Sequence, residues 1–254
     1  MNEQQSSTTT PQISFFMTRA TNVFSSPGEL YAEVSAAPAQ TSSWLVPFLL
    51  SLVLAFIFTF AIYNNPTLRG QIYDMQSRGM QKQVDEGKMT QERADTIREQ
   101  MESTGPLMFM VFGAGFASIG IAMMFFGATL LLWIVAKFAA KFNGGYKKML
   151  EIYGLASLIS ILGSLVMLIM INFFDTMYAQ PSASLLVLNS FDPTNSTHRL
   201  LASINIFTLW QATTIGVGIS KVSGKSFGIG IGISVGLWLL WAVASSLLGI
   251  GGMG

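Results

Sequence analysis

A chain of 254 residues is long enough for one large soluble domain, but 51% hydrophobic and only 11% charged residues cannot clothe a surface that ordinarily carries about 25% charge. A net charge of +1 gives no global field for nucleic acid, and the absence of cysteine excludes disulfides, thiolate metal sites and cysteine nucleophiles. Of the 27 charged side chains, 13 fall between Arg69 and Glu102, so the rest of the chain is poorer still, and the composition reads as an all-α integral membrane protein.

The first element in chain order is an arm, residues 1–43, ahead of a membrane domain at 44–254. Its start, MNEQQSSTTTPQ, lacks the basic and apolar regions of a cleavable signal, so the run beginning at Trp44 is expected to act as an uncleaved insertion signal. Residues 1–10 are Ser/Thr/Gln-rich and expected to be disordered. Thr10 suits a cap and Pro11 a first helical turn. Ile13, Phe16, Ala20 and Val23 then share one helical face. A second helix opens at SSPGEL, where Ser26 and Glu29 have the spacing of a capping box. Leu30 and Val34 give it a one-sided stripe before Pro38 stops it. Two short amphipathic helices before a span fit an arm lying on the bilayer surface, or one packed on the protein's own helix ends.

A hydrocarbon core of about 30 Å takes roughly 20 helical residues, and that length picks out five spans. They fall at about 44–63, 107–138, 150–174, 200–220 and 227–250, with only Lys221–Ser226 joining the last two. The second is longer than a bilayer requires and must tilt or extend into the interface. Between the first two spans lies a charged insert, 67–105, with helices expected over Thr67–Glu86 and Thr90–Ser103 around Gly87-Lys88. In its second helix Ala94, Ile97 and Met101 make only a narrow stripe, so the insert reads as a solvated helical hairpin whose mixed charges serve solubility.

Lysines set the expected orientation. Lys137, Lys141, Lys147 and Lys148 follow the second span with no acid before Glu151, and Lys221 and Lys225 lie in the final hairpin. With Arg19 they tie, seven against seven, with the basic residues of the insert and Arg199. The lysine clusters abut the spans whereas the insert neutralises itself, so the N-terminus is placed in the cytoplasm and the C-terminus outside.

Two stretches carry a resemblance. FSSPGELYAEVSAAPAQTSSWLVPFLLSLVL, with Pro27, is similar to the opening of the Yip domain family of Ypt/Rab-interacting proteins. SINIFTLWQATTIGVGISKVSGKS resembles that family's fourth span, with Phe207, Trp210, Gly216 and Gly218 in its Phe-x-x-Trp…Gly pattern. The resemblance implies five spans, a cytosolic N-terminus and no known catalytic activity. Eukaryotic relatives are linked to Rab GTPases and vesicle traffic. GTPase binding is not carried over, because no long acidic N-terminal region is present and the sequence has a bacterial style, which points to a bacterial inner membrane.

In the last span Gly228, Gly232 and Gly236 recur every four residues, with Gly230 and Ser234 on the neighbouring stripe. Such spacing lets helices approach closely, either within the bundle or as a homo-oligomer seam. The second span has a looser version in Gly113, Ala117 and Gly120. Polar residues at membrane depth are few: a stripe of Asn205, Thr208 and Gln211, with Thr213, Thr214, Asn172 and the interfacial Asp175. Interhelical hydrogen bonds account for the stripe, and a solute path is the sharper reading.

No catalytic, cofactor or metal site is expected. His198 is the single histidine and sits beside Arg199 in a loop. The Gly224-Lys225-Ser226 triplet lacks the earlier glycine and preceding strand of a phosphate loop, since Ser220 stands where that glycine belongs. Asn195-Ser196-Thr197 is a formal glycosylation sequon. The leading function is a non-enzymatic membrane protein that organises the bilayer or scaffolds protein partners of unknown identity. The alternative is a small channel, transporter or lipid-moving protein using the stripe.

Overall fold

The computed structural model describes residues 11–103 and 106–249. The expectations for residues 1–10, the Thr10 cap and the C-terminal tail lie outside these, as do the side chains of Ile13 and Met101. The described chain is all-α, in the order α1 (Pro11–Ser25), α2 (Pro27–Ala36), α3 (Ser42–Asn64), α4 (Pro66–Asp85), α5 (Gln91–Ser103), α6 (Pro106–Ala139), α7 (Tyr146–Phe173), a 3-10 helix (Ala183–Ser190), α8 (Ser196–Ser203), α9 (Ile206–Ser223) and α10 (Phe227–Leu248).

Among the described residues four helices are long and apolar enough to cross a membrane: Ser42–Asn64, Met110–Ala139, Tyr146–Phe173 and Phe227–Leu248. The fourth expected span, 200–220, is not one continuous helix. Its N-terminal part is the separate α8, and α9 begins only at Ile206. The break has a local cause. The Ile204 carbonyl accepts from the Ala183 amide at 3.0 Å, and Asn205 forms an isolated antiparallel bridge with Ser182, which diverts the Ile204 carbonyl and Asn205 from the helical ladder. The 18 residues left in α9 include Gln211 and Lys221, and this helix is not among the four.

The helix ends follow the residue chemistry. Pro38 confines α2, whose last residue is Ala36 with an extended Ala37 after it. Ser26 precedes α2 but makes no side-chain cap bond, so the capping box is not formed. Asn65 caps α4 through Thr67 and Leu68, and Asn195 caps α8 through Thr197 and His198. Gly87 and Gly224 take φ of +69° and +65° at the two tight turns, a conformation that side chains with a Cβ resist.

The chain divides into two compact units, and the boundary cuts α3, α6, α7 and α10. The first comprises Met1–Leu50, Met124–Gly163 and Ile206–Ala244. Its core joins Val23, Leu30, Tyr31 and Val34 of the arm to Ile152, Leu155 and Ile159 of α7 and Ile215 and Ile219 of α9. The arm is therefore part of a bundle core, packed on the protein's own helices. The second unit comprises Ser51–Met123, Ser164–Asn205 and Ser245–Gly254. Its small core sets Leu68 against Ile171 and Met177, with Ile72 and Met75 alongside, so α4 is seated and not merely solvated. Beyond α4 the hairpin matches expectation. Arg93, Asp95 and Glu99 are exposed on α5 while Ala94 is buried.

Candidate functional site: a buried ion cluster beneath the arm

Arg19 lies on the face of α1 that also carries Phe16 and Val23, and its side chain is 1% exposed. A guanidinium held there needs counter-charge, because an uncompensated buried ion is costly. It finds Glu151 in the second turn of α7, which is fully buried. Arg19 Nη1 donates to Glu151 Oε1 at 2.7 Å and to Ser43 Oγ at 3.1 Å, while Nε donates to Glu33 Oε1 at 3.0 Å. Nη2 lies 2.9 Å from the same Glu33 oxygen, as an ion pair off the hydrogen-bond line. The Phe15 ring covers the guanidinium, its centroid 4.2 Å from Cζ.

The other Glu151 oxygen takes Lys148. Lys148 Nζ donates to Glu151 Oε2 at 2.8 Å and to the Val34 and Ala37 carbonyls at 2.7 and 2.8 Å, which uses its three protons. The Gln40 amide adds a bond to Glu151 Oε1 at 3.1 Å. Two cations and two carboxylates thus close a neutral network that ties α1, α2, α3 and α7 together. Nearby, the Tyr31 hydroxyl donates to the Ile152 carbonyl at 3.0 Å. Burial, reinforced by the Glu151 charge, pushes the Tyr31 phenol far above its ordinary range.

This cluster was missed in the sequence, though its signals are there. Arg19 is the single charged residue between Pro11 and Ser25, and it falls on the apolar face. Glu151 is the first acid after four lysines.

The polar residues expected in the fourth span separate. Asn205 stands outside α9, in the bridge to Ser182, so the stripe is reduced to Thr208 and Gln211. Thr208 Oγ1 accepts from Trp238 Nε1 at 3.1 Å, and Gln211 Oε1 accepts from Ser160 Oγ. Thr213 bonds back to the Leu209 carbonyl and Asn172 to that of Leu168. Asp175, exposed at φ +50°, accepts from Asn65 Nδ2 at 2.8 Å.

The glycine register is also corrected. A Cβ at Gly228, Gly232 or Gly236 would meet nothing within 4 Å, so these three do not pack within the bundle. Gly230, on the neighbouring stripe, does: a Cβ there would lie 2.1 Å from the Gly216 carbonyl oxygen. In α6 a Cβ at Gly113 would only touch Thr59 at 3.4 Å, and Gly120 is open. Of the family-pattern residues, Pro27 opens α2 and Phe207 lies across Gly163. Trp210 packs edge-on to Phe24, Gly216 faces Ile231 and Ser234, and Gly218 faces Ile152 and Tyr31.

His198 is half-buried in the second unit, where its Nδ1 accepts from the Asp192 amide at 3.0 Å. Bonds from Thr194 hold the Asp192 carboxyl below its ordinary range. Arg199 donates to the Ser246, Pro193 and Thr194 carbonyls. Among the described residues no group of three His, Cys, Asp or Glu could hold a metal.

No curated protein and no solved structure matches the chain. The family model of the Yip1 domain matches residues 21–249, which takes in Glu33, Ser43, Lys148 and Glu151 and stops two residues short of Arg19. A match over that much of an all-α membrane chain, with α2, the ion cluster's carboxylates and the α9 glycines inside it, makes this protein a member of the Yip1 domain family.

Proposed function

We propose that the protein is a non-enzymatic membrane organiser or scaffold. The arm is its folded contact element and the α4–α5 hairpin its water-facing one. The observation that carries this is the shared core of α2, α7 and α9, closed by the Arg19–Glu151 pair. It makes a segment outside the spans a fixed part of the bundle and leaves Phe15, Met17 and Phe24 of α1 exposed. In this reading the chain crosses a bacterial inner membrane five times, with α9 as the fourth crossing and α8 leading into it. The N-terminus is cytoplasmic and the C-terminus outside. The open Gly228, Gly232 and Gly236 edge of α10 is where a second copy would pack.

A conducting or lipid-moving role gains no support from α9, since Thr208 and Gln211 already bond to Trp238 and Ser160. Purified protein in liposomes tests the choice: neither ion flux nor lipid scrambling should exceed empty vesicles. Robust flux that Thr208→Leu or Gln211→Leu abolishes would overturn the scaffold reading. A reporter enzyme active only in the cytoplasm, fused after Gly254, should stay silent; activity there would reverse the orientation or change the span count.

A further inference from the structure

We propose that α1 and α2 form a re-entrant hairpin whose turn at Ser25–Ser26 is inserted among the acyl chains of one leaflet, with the outer face of α1 in contact with lipid. This rests on the membrane reading above and names what the arm touches.

The first support is depth, read along α9 within the first unit. The end of α2 sits at the lysine end of the bundle. There Ser35 Oγ donates to the Lys221 carbonyl, and the Val34 and Ala37 carbonyls receive Lys148. One turn earlier Tyr31 lies against Gly218. At the hairpin turn the Phe24 ring meets Trp210, with centroids 5.8 Å apart. Contacts thus step down α9 from Lys221 to Trp210, which is about 16 Å at 1.5 Å per residue and half of a roughly 30 Å hydrocarbon core. The chain reaches that level from Arg19, whose partners Ser43 and Glu151 belong to the first turn of α3 and the second turn of α7. It therefore descends and returns on one side.

The second support is the chemistry of the exposed face of α1. Phe15, Met17 and Phe24 are 40%, 59% and 38% exposed. Two hydroxyls there are satisfied internally: Thr21 Oγ1 donates to the Met17 carbonyl and Ser25 Oγ to that of Thr21. Self-satisfied hydroxyls suit a helix in hydrocarbon, where water offers no alternative partner. The one charge of α1, Arg19, is buried and paired. A helix lying flat on the headgroups instead carries Lys and Arg on its polar face. Glu29 and Glu33 are exposed on α2, so the lipid contact is assigned to α1. An insert confined to one leaflet displaces lipid from that leaflet alone, which gives the organising role a physical means.

The chain's lack of cysteine makes the test direct. Single Met17→Cys, Thr21→Cys and Phe24→Cys variants of the full chain are reconstituted in phosphatidylcholine/phosphatidylglycerol vesicles. Lys88→Cys serves as the water reference and Leu240→Cys as the lipid reference. Each is labelled with an environment-sensitive fluorophore and quenched with lipids brominated high or low on the acyl chain. The Phe24 and Thr21 labels should be quenched more by the low bromines than by the high ones, and Met17 less so. Their thiols should react with a membrane-permeant maleimide, which reaches both faces of the vesicle, about ten-fold or more slower than Lys88→Cys, because an apolar site suppresses the thiolate. Quenching by the high bromines alone, or reaction at the Lys88 rate, would overturn the insertion while leaving Leu240→Cys protected. Leu240→Cys reacting as fast as Lys88→Cys would overturn the membrane reading itself.

Discussion

The α1–α2 arm and the α4–α5 hairpin are both pairs of short amphipathic helices outside the four long apolar ones, yet they treat charge in opposite ways. In the hairpin Glu86 pairs with Lys88 at 2.7 Å and Asp95 with the half-buried Arg98 at 2.9 Å, and none of the four is enclosed. In the arm a single arginine is turned inward onto the buried Glu151, with Glu33 pairing from the exposed edge. What separates the two is helical phase and not the amount of charge. Arg19 occurs where Phe16 and Val23 fix the buried face, while Arg93, Asp95 and Glu99 avoid the Ala94 stripe. A lone charge in phase with an apolar stripe asks for a distant partner of opposite sign.

The sharpest way to break this contrast is Glu151→Ala, which strands Arg19 and Lys148 without their shared carboxylate. Removing one partner of a buried pair costs about 3–5 kcal/mol, and thermal melting in detergent should show it as the largest loss of the set. Unchanged melting would mean the cluster does not hold the arm. Next come two glycine substitutions. Gly218→Ala puts a Cβ 2.5 Å from Ile152 Cγ2 beneath Tyr31, overpacking that costs about 1–3 kcal/mol. Gly79→Ala in the open face of α4 should instead gain up to about 1 kcal/mol from helix propensity.

Alkali should loosen the arm before the hairpin. The folded state holds the Tyr31 phenol protonated above its ordinary value of 10.0, so that stabilisation is complete below pH 10 and is lost as pH rises beyond it. Tyrosine absorbance should show Tyr31 ionising only as the arm becomes protease-sensitive, and Tyr31→Phe should remove that step. The smallest effect belongs to the hairpin pairs: Arg98→Ala should shift stability by no more than about 0.5 kcal/mol, with salt erasing it. Lys88 holds the Glu86 carboxyl below its ordinary range, so that contribution is present at neutral pH and fades as acid protonates the carboxylate. A large loss from either would put the hairpin in the same class as the arm.

Much of this was legible in the residues. Length and apolarity located α3, α6, α7 and α10, and Gly87-Lys88 separated the two helices of the insert. The break between α8 and α9 was not, because Ile204-Asn205 contains no proline or glycine and the cause lies across the chain at Ser182 and Ala183. The close-packed stripe of α10 was ambiguous by construction: period four fits Gly228, Gly232 and Gly236 as well as Gly230 and Ser234, and only the position of Gly216 selects. The Arg19–Glu151 pair spans 132 residues, beyond any local pattern. It also alters the lysine argument for orientation. Arg19 and Lys148 are neutralised within the cluster, leaving Lys137, Lys141, Lys147, Lys221 and Lys225 as the exposed basic residues of that end.

Hydrogen exchange on the full chain in nanodiscs reads the contrast between arm and hairpin most directly. Amides of Leu30–Val34 should exchange as slowly as those of Ile152–Ile159, which share their core, while amides of Arg93–Glu99 exchange orders of magnitude faster. An arm exchanging at the hairpin's rate would contradict its place as a fixed part of the bundle.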